Sequence, residues 1–233
     1  MDTLSVFSSF IKKNKKDFPL NSKKFILKSK SSFNKKYFLK SKKINLNSLK
    51  KWNFSSKSII HTTKKYFSII GIKVETNKRE VNKWYQPIIK GSKLAFVGFI
   101  IKKFNNTEHY LCRHILKPGS RSSTYTCTMN TSNLSRYKNN KDLSIFQKEI
   151  ISKYFTNRRK NIFYDNVLSD EGGRFFHSQI KYSVCKLNKS ENIDLPEDYI
   201  WLSKNQIITL ISKKQIDIEA RLLFGIVNFK GII

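Results

Sequence analysis

A chain of 233 residues with 39% hydrophobic content is long enough for one well-filled domain, or for one domain with a basic extension. Its net charge of +30 points toward anionic partners, but residues 1–67 alone carry 18 Lys, no Arg and two Asp, a net +16. No apolar run approaches a membrane span, and the apolar stretch Leu4–Ile11 precedes its lysines and lacks a small-residue cleavage site, so neither a transmembrane helix nor a secretory leader is expected.

Residues 1–43 read as a basic, low-complexity N-terminal extension, partly helical around residues 4–16 and without expected order over residues 21–43. Lysine without arginine, among abundant Asn, Ile and Phe, is what an AT-rich genome writes onto solvated surfaces. The alternative is electrostatic attachment to nucleic acid or anionic lipid. A folded module is expected over residues 44–233. Phe67–Val74 alternates loosely and reads as a strand. Lys93–Phe104 and Glu108–Leu116 are apolar runs joined by Asn105, Asn106 and Thr107, the pattern of a hairpin. Lys117, Pro118 and Gly119 then break the chain.

Leu143, Phe146, Ile150, Ile151 and Tyr154 form an apolar stripe that predicts a helix over Asp142–Phe155, with Asp142 as N-cap. Phe175–Leu187 reads as a strand. Ser203 suits the N-cap of a helix running to about Ser212. Asp217 suits that of a second helix, Ile218–Val227, which carries Arg221. Strands, a helix, a strand and two helices in this order predict a mixed α+β module rather than a βαβ repeat.

Cys112, Cys127 and Cys185 have no metal-ligand spacing, and their odd number argues against a disulfide framework, so a reducing cytoplasm is expected. His61, His109, His114 and His177 form no zinc-type cluster. The sequence has no Walker loop, dinucleotide glycine fingerprint or Gly-x-Ser-x-Gly elbow. Its most specific string is Ser169-Asp170-Glu171-Gly172-Gly173-Arg174-Phe175-Phe176-His177. Paired glycines permit a sharp turn or a close ligand approach. The acids and Arg174 set proton-transfer and anion-binding groups beside them.

These strings resemble the NDP-hexose 2,3-dehydratases. Trp84-Tyr-Gln-Pro-Ile-Ile89, the hairpin, Pro118-Gly119, Tyr164-Asp165, the acidic Gly-Gly block, Tyr199-x-Trp201 and Ala220-Arg221 follow the family's order over residues 44–228. Family members carry two such modules in tandem, and this chain is most similar to the C-terminal copy. The resemblance implies a Nudix-like mixed sheet flanked by helices, with no cofactor and no metal. Three departures stand out. Lys117 occupies a position where the family has Glu, Tyr125-Thr126-Cys127-Thr128 replaces Pro-Thr-Val-Gln, and Ile180-Lys181-Tyr182 replaces Asn-Arg-Tyr.

The implied activity is a hydro-lyase that removes water across carbons 2 and 3 of a dTDP- or other NDP-linked 4-keto-6-deoxyhexose. Glu171 is the candidate base, on the expectation that a partly dry Gly-Gly turn raises its pKa. Asp170, next to it, is expected to point the opposite way. His177 or Tyr182 is the candidate proton donor. Arg174 and Arg221 are candidates for the diphosphate, and Trp84, Gln86 and Gln206 for the base or sugar. Plain structural alternatives stand beside these: an ion pair for Glu171, Arg174 and Arg221, a solvated surface position for Asp170, a packed or surface position for His177 and Tyr182, core packing for Trp84 and helix capping for Gln206. A homodimer, or pairing with a second module, would restore the tandem arrangement. Nucleic acid is not an expected partner. Two alternatives stay open: a module that binds sugar nucleotides without turnover, and a basic nucleic-acid-associated protein.

Overall fold

The structure is a computed structural model that describes residues 17–64, 66–91, 94–120, 122–132, 143–156 and 161–229. The helix expected around residues 4–16 and the N-cap assigned to Asp142 lie outside these residues. In chain order the elements begin with α1 (Lys23–Lys36), β1 (Trp52–Phe54), β2 (Ser58–His61), β3 (Ser68–Glu75) and β4 (Lys83–Lys90). Next come β5 (Ala95–Phe104), β6 (Thr107–Ile115), β7 (Thr124–Thr126), β8 (Met129–Thr131) and α2 (Ile145–Ile150). The chain ends with β9 (Ile162–Ser169), β10 (Gln179–Lys186), β11 (Tyr199–Ser203), α3 (Lys204–Ser212) and α4 (Ile218–Phe229). This is the expected α+β composition. Among the described residues no helix is long and apolar enough to cross a membrane.

Two compact units divide the chain. The first takes the residues up to Leu39, Phe99–Thr128 and those from Cys185 onward; the second takes Lys40–Gly98 and Met129–Val184. Two of the four boundaries fall inside β5 and β10, and the other two, after Leu39 and Thr128, lie outside the named elements.

In the first unit β6 lies between β11 and β5, antiparallel to both, with Trp201 opposite Leu111 and Ile101 opposite Tyr110. β7 adds to β6 with Tyr125 opposite His114. The hairpin expected at Asn105–Asn106 is present. Both residues have positive φ, 47° and 61°, the geometry of a two-residue turn that matches strand twist, and asparagine tolerates it better than most residues. α3 and α4 begin where their caps predict. Ser203 and Gln206 form a reciprocal capping box, and Asp217 Oδ1 accepts from the Ala220 N–H at 2.9 Å.

The ordered helix α1 corrects the reading of residues 21–43. Ser22 caps it, and its Ile26, Ser29, Phe33, Asn34 stripe lies against the first unit. Ile26 is buried. Ser29 Oγ meets His114 Nε2 at 3.0 Å, Phe33 stacks on the His114 ring at 4.9 Å, and Ser123 Oγ donates to Asn34 Oδ1 at 2.5 Å. The residues before the helix are tied down too. The Leu20 N–H donates to His109 Nε2 at 2.9 Å, and Ser203 Oγ donates to Asp17 Oδ2 at 2.6 Å. Tertiary contacts order a segment whose composition alone gives no such signal.

The second unit contains a four-stranded meander, β1-β2-β3-β4. Trp84 pairs with Val74 and Pro87 with Gly71. Proline lacks an N–H and is accommodated here because β4 is outermost in the meander. β8 pairs with β5 at Val97 and Asn130, and β9 neighbours β10. The helix expected over Asp142–Phe155 is shorter and changes form. α2 starts after Ser144, with Gln147 completing a capping box, and gives way at Ile151–Thr156 to π-helical turns. The wider winding buries Ile151, Tyr154 and Phe155 and sets the Phe155 ring against β5. A Cβ on Gly98 would lie 2.8 Å from Phe155 Cζ, so only glycine admits that ring.

Candidate active site

Ser169 ends β9, and the acidic Gly-Gly block forms the loop that leads into β10. Asp170 Oδ1 accepts from the Glu171 N–H at 2.8 Å, and the Asp170 N–H donates to the Ser178 carbonyl at 2.9 Å, which closes the loop at its base. The Phe175 N–H donates to the Glu171 carbonyl at 2.9 Å, folding Glu171–Phe175 into a tight turn.

The loop is stitched to β4. The Ile89 N–H donates to the Arg174 carbonyl at 3.0 Å, and the Phe176 N–H donates to the Ile89 carbonyl at 2.8 Å. Gln86 Nε2 donates to the Gly173 carbonyl at 3.1 Å, while Trp84 Nε1 donates to Gln86 Oε1 at 2.7 Å. The two most specific strings of the sequence are therefore joined by hydrogen bonds.

Between loop and sheet lies an open cavity of about 380 Å³. Ile72, Ile88 and Phe175 supply apolar wall, and Asp170, His177 and Ser178 supply polar wall. Ser178 Oγ is buried without a hydrogen-bond partner among the described residues. His177 holds a left-handed backbone, φ 49°, and its ring packs edge-on to Phe176 at 4.1 Å. That conformation is uncommon for a non-glycine residue, although histidine is among those enriched in it.

Of the acidic pair, Asp170 reaches the cavity wall and Glu171 does not. The Glu171 side chain is 53% exposed, so the partly dry turn expected around it is not what the fold builds. Its Oε2 accepts from Arg174 Nε at 2.8 Å and from the Arg174 Nη2 group. Hydrogen bonding to Glu171, reinforced by its charge, raises the Arg174 pKa above the usual value. Trp84 and Gln86 line a separate shallow hollow with residues 78–81, where the Arg79 guanidinium lies 6.0 Å from the Trp84 ring centre.

A family model for NDP-hexose 2,3-dehydratases matches residues 26–227. The chain belongs to the NDP-hexose 2,3-dehydratase family. It is similar to the dTDP-4-dehydro-6-deoxy-alpha-D-glucopyranose 2,3-dehydratase of Streptomyces violaceoruber, at 30% identity over 73% of this chain and 38% of that protein. It is also similar to the enzyme of the same name from Saccharopolyspora spinosa, at 25% identity over 81% of this chain and 38% of that one. The chain thus spans well under half the length of these curated relatives. Among solved structures it is similar to an ADP compounds hydrolase, with TM-score 0.42 and 13% identity over 79% of this chain and 97% of that one.

The remaining candidates of this dehydratase-family module occupy other settings. Tyr182 is buried within β10, outside the cavity wall. Gln206 belongs to the first unit, where both ends of its amide are in use. Its Oε1 accepts from the Ser203 N–H at 3.0 Å, and its Nε2 donates to the Asn21 carbonyl at 2.6 Å. Arg221 is also in the first unit, exposed on α4, with Nε donating to the Asp217 carbonyl at 3.4 Å.

Lys117, the departure from the family's Glu, makes ion pairs with Asp217 at 3.1 Å and Glu219 at 2.9 Å. Burial holds the Asp217 carboxyl above the usual carboxylate range. Burial likewise pushes the Cys112 and Cys127 thiols up, which suits packing rather than nucleophilic roles. Among the described residues no three or more His, Cys, Asp or Glu side chains are grouped as metal ligands. The sequence reading passed over Ser178, which carries no local motif, and placed the base at Glu171 where the cavity wall presents its neighbour Asp170.

Proposed function

We propose that the protein is a cytoplasmic hydro-lyase that eliminates water across carbons 2 and 3 of a dTDP- or other NDP-linked 4-keto-6-deoxyhexose in deoxysugar biosynthesis. One observation carries the reading. Within the stretch matched by the dehydratase family, the acidic Gly-Gly block folds onto β4 and walls a cavity with an acid, an imidazole and a hydroxyl.

The 4-keto group acidifies the C3 hydrogen. Asp170 takes that proton, and the C–H electrons form the enolate on the ketone oxygen. As the enolate collapses, the C2–O bond breaks and His177 delivers the proton with which the hydroxyl leaves as water. The resulting enol becomes a 3,4-diketo sugar. Arg174, paired with Glu171 at the exposed turn, exchanges that partner for the diphosphate, and Trp84 and Gln86 offer a ring and an amide to the nucleoside. Because the relatives are much longer, a homodimer or a second module is part of the proposal.

The test supplies the 4-keto substrate together with a downstream ketoreductase and NADPH. NADPH consumption that depends on this protein is the expected result. Heat of binding for a dTDP-sugar without NADPH consumption assigns a module that binds without turnover. Absence of both overturns the proposal.

A further inference from the structure

The seam between α1 and α3 in the first unit holds a second cavity, of about 210 Å³, apart from the site described above. Ile26, Leu27, Leu210 and Tyr125 give it an apolar lining, and Lys23, Lys30 and Lys213 are the lysines that line it. Among the described residues none of these three lysines has an acidic partner. The acids of this unit that form ion pairs do so with other lysines: Glu197 with Lys36, Glu108 with Lys186, and Asp217 and Glu219 with Lys117.

Two further features make this arrangement unfavourable when empty. Lys23 and Lys24 occupy the first turn of α1, which contains no acid, so their charges oppose the positive end of the helix dipole. Lys30 is half-buried, and desolvation lowers its pKa with nothing anionic to offset it. Its charge also contributes to depressing the nearby His114 ring. A bound anion would offset this excess of positive charge.

We propose that this cavity binds a small ligand with a compact apolar body and one anionic headgroup, and that the ligand clamps α1 onto the first unit. The apolar lining takes the body, and the lysines take the headgroup. The volume equals roughly seven waters at about 30 Å³ each, which suits a single ring with its acid group. The inference is independent of the proposed dehydratase reaction.

Phenyl phosphate is the probe, titrated calorimetrically into the full chain, with inorganic phosphate and phenol as the split halves of its chemistry. Phenyl phosphate is expected to bind at least tenfold more tightly than either half. Lys30→Met and Lys213→Met are each expected to weaken it at least fivefold, with helix content by circular dichroism unchanged. Lys189→Met removes an exposed charge of the same unit outside the cavity and is expected to leave binding as it was. Bound probe is also expected to raise the His114 pKa followed by NMR. No heat at millimolar probe, equal binding of inorganic phosphate, or an equal effect of all three lysine variants would each overturn the site.

Discussion

His114 offers the sharpest test of how the N-terminal segment is held. Its ring is 2% exposed, lies 4.3 Å from the Tyr125 ring, stacks on Phe33 and meets Ser29 of α1. Its Nδ1 is buried without a partner among the described residues. Burial, aided by the Lys30 charge, brings its pKa down to about 4. A base whose folded pKa lies below its unfolded one is fully tolerated at high pH, and stability is lost as the pH falls from the unfolded value toward the folded one. With about 6.5 for the unfolded ring, lowering the pH from 7 to 5 should remove about 2 kcal/mol of stability. At ~2–4 °C per kcal/mol for a chain of this size, Tm should fall by about 4–8 °C from this group alone. The assay is urea unfolding of the full chain at several pH values, wild type beside His114→Gln, which keeps an amide for Ser29 but takes up no proton. The variant's stability should decline by about 2 kcal/mol less over that interval. Parallel profiles would refute the claim that a neutral, buried imidazole anchors α1.

Further outcomes follow from other sites. Asp170→Asn should lower NADPH-coupled turnover by about 10²–10⁴-fold with an unchanged melting curve, and Glu171→Gln by less than about tenfold; the opposite ranking would return the base to Glu171. Lys117→Met leaves Asp217, with a 4% exposed side chain, and Glu219 facing each other, and should cost about 2–4 kcal/mol in denaturant unfolding at neutral pH. That deficit should shrink as the pH falls, because burial already favours the protonated Asp217 and losing the lysine favours it further. Gly98→Ala drives a methyl into the Phe155 ring and should destabilise by about 1–3 kcal/mol, with part of the loss recovered in Gly98→Ala/Phe155→Leu. Full additivity of the two substitutions would deny that contact.

Much of the fold was legible because it follows from local chemistry. The hairpin at Asn105–Thr107, the Ser203 cap and the Asp217 cap each rest on residues within four positions of one another, and all three are present, with Thr107 already in β6 and Gln206 completing a box at Ser203. The stripe ending at Phe155 was harder. Its apolar spacing suits an α-helix, and the switch to π-helical turns depends on where the Phe155 ring meets Gly98, more than fifty residues earlier. Helix α1 and the residues just before it were hidden for a similar reason: His114 and Ser123, which hold the helix, and His109 and Trp201, which hold Leu20 and Asn21, lie far along the chain.

The candidate site divides in the same way. From its motifs alone the chain announced its family, the glycine pair, and the acids and arginine around it, because residue type and order survive without coordinates. Which acid faces a cavity was settled only by tertiary structure. Asp170 and Glu171 are neighbours of equal charge, and the hydrogen bonds that dock the loop on Gln86 and Ile89 turn one toward the cavity and leave the other in solvent with Arg174. Side-chain direction in a loop is fixed by the partners of its backbone, and those partners lie more than eighty residues away.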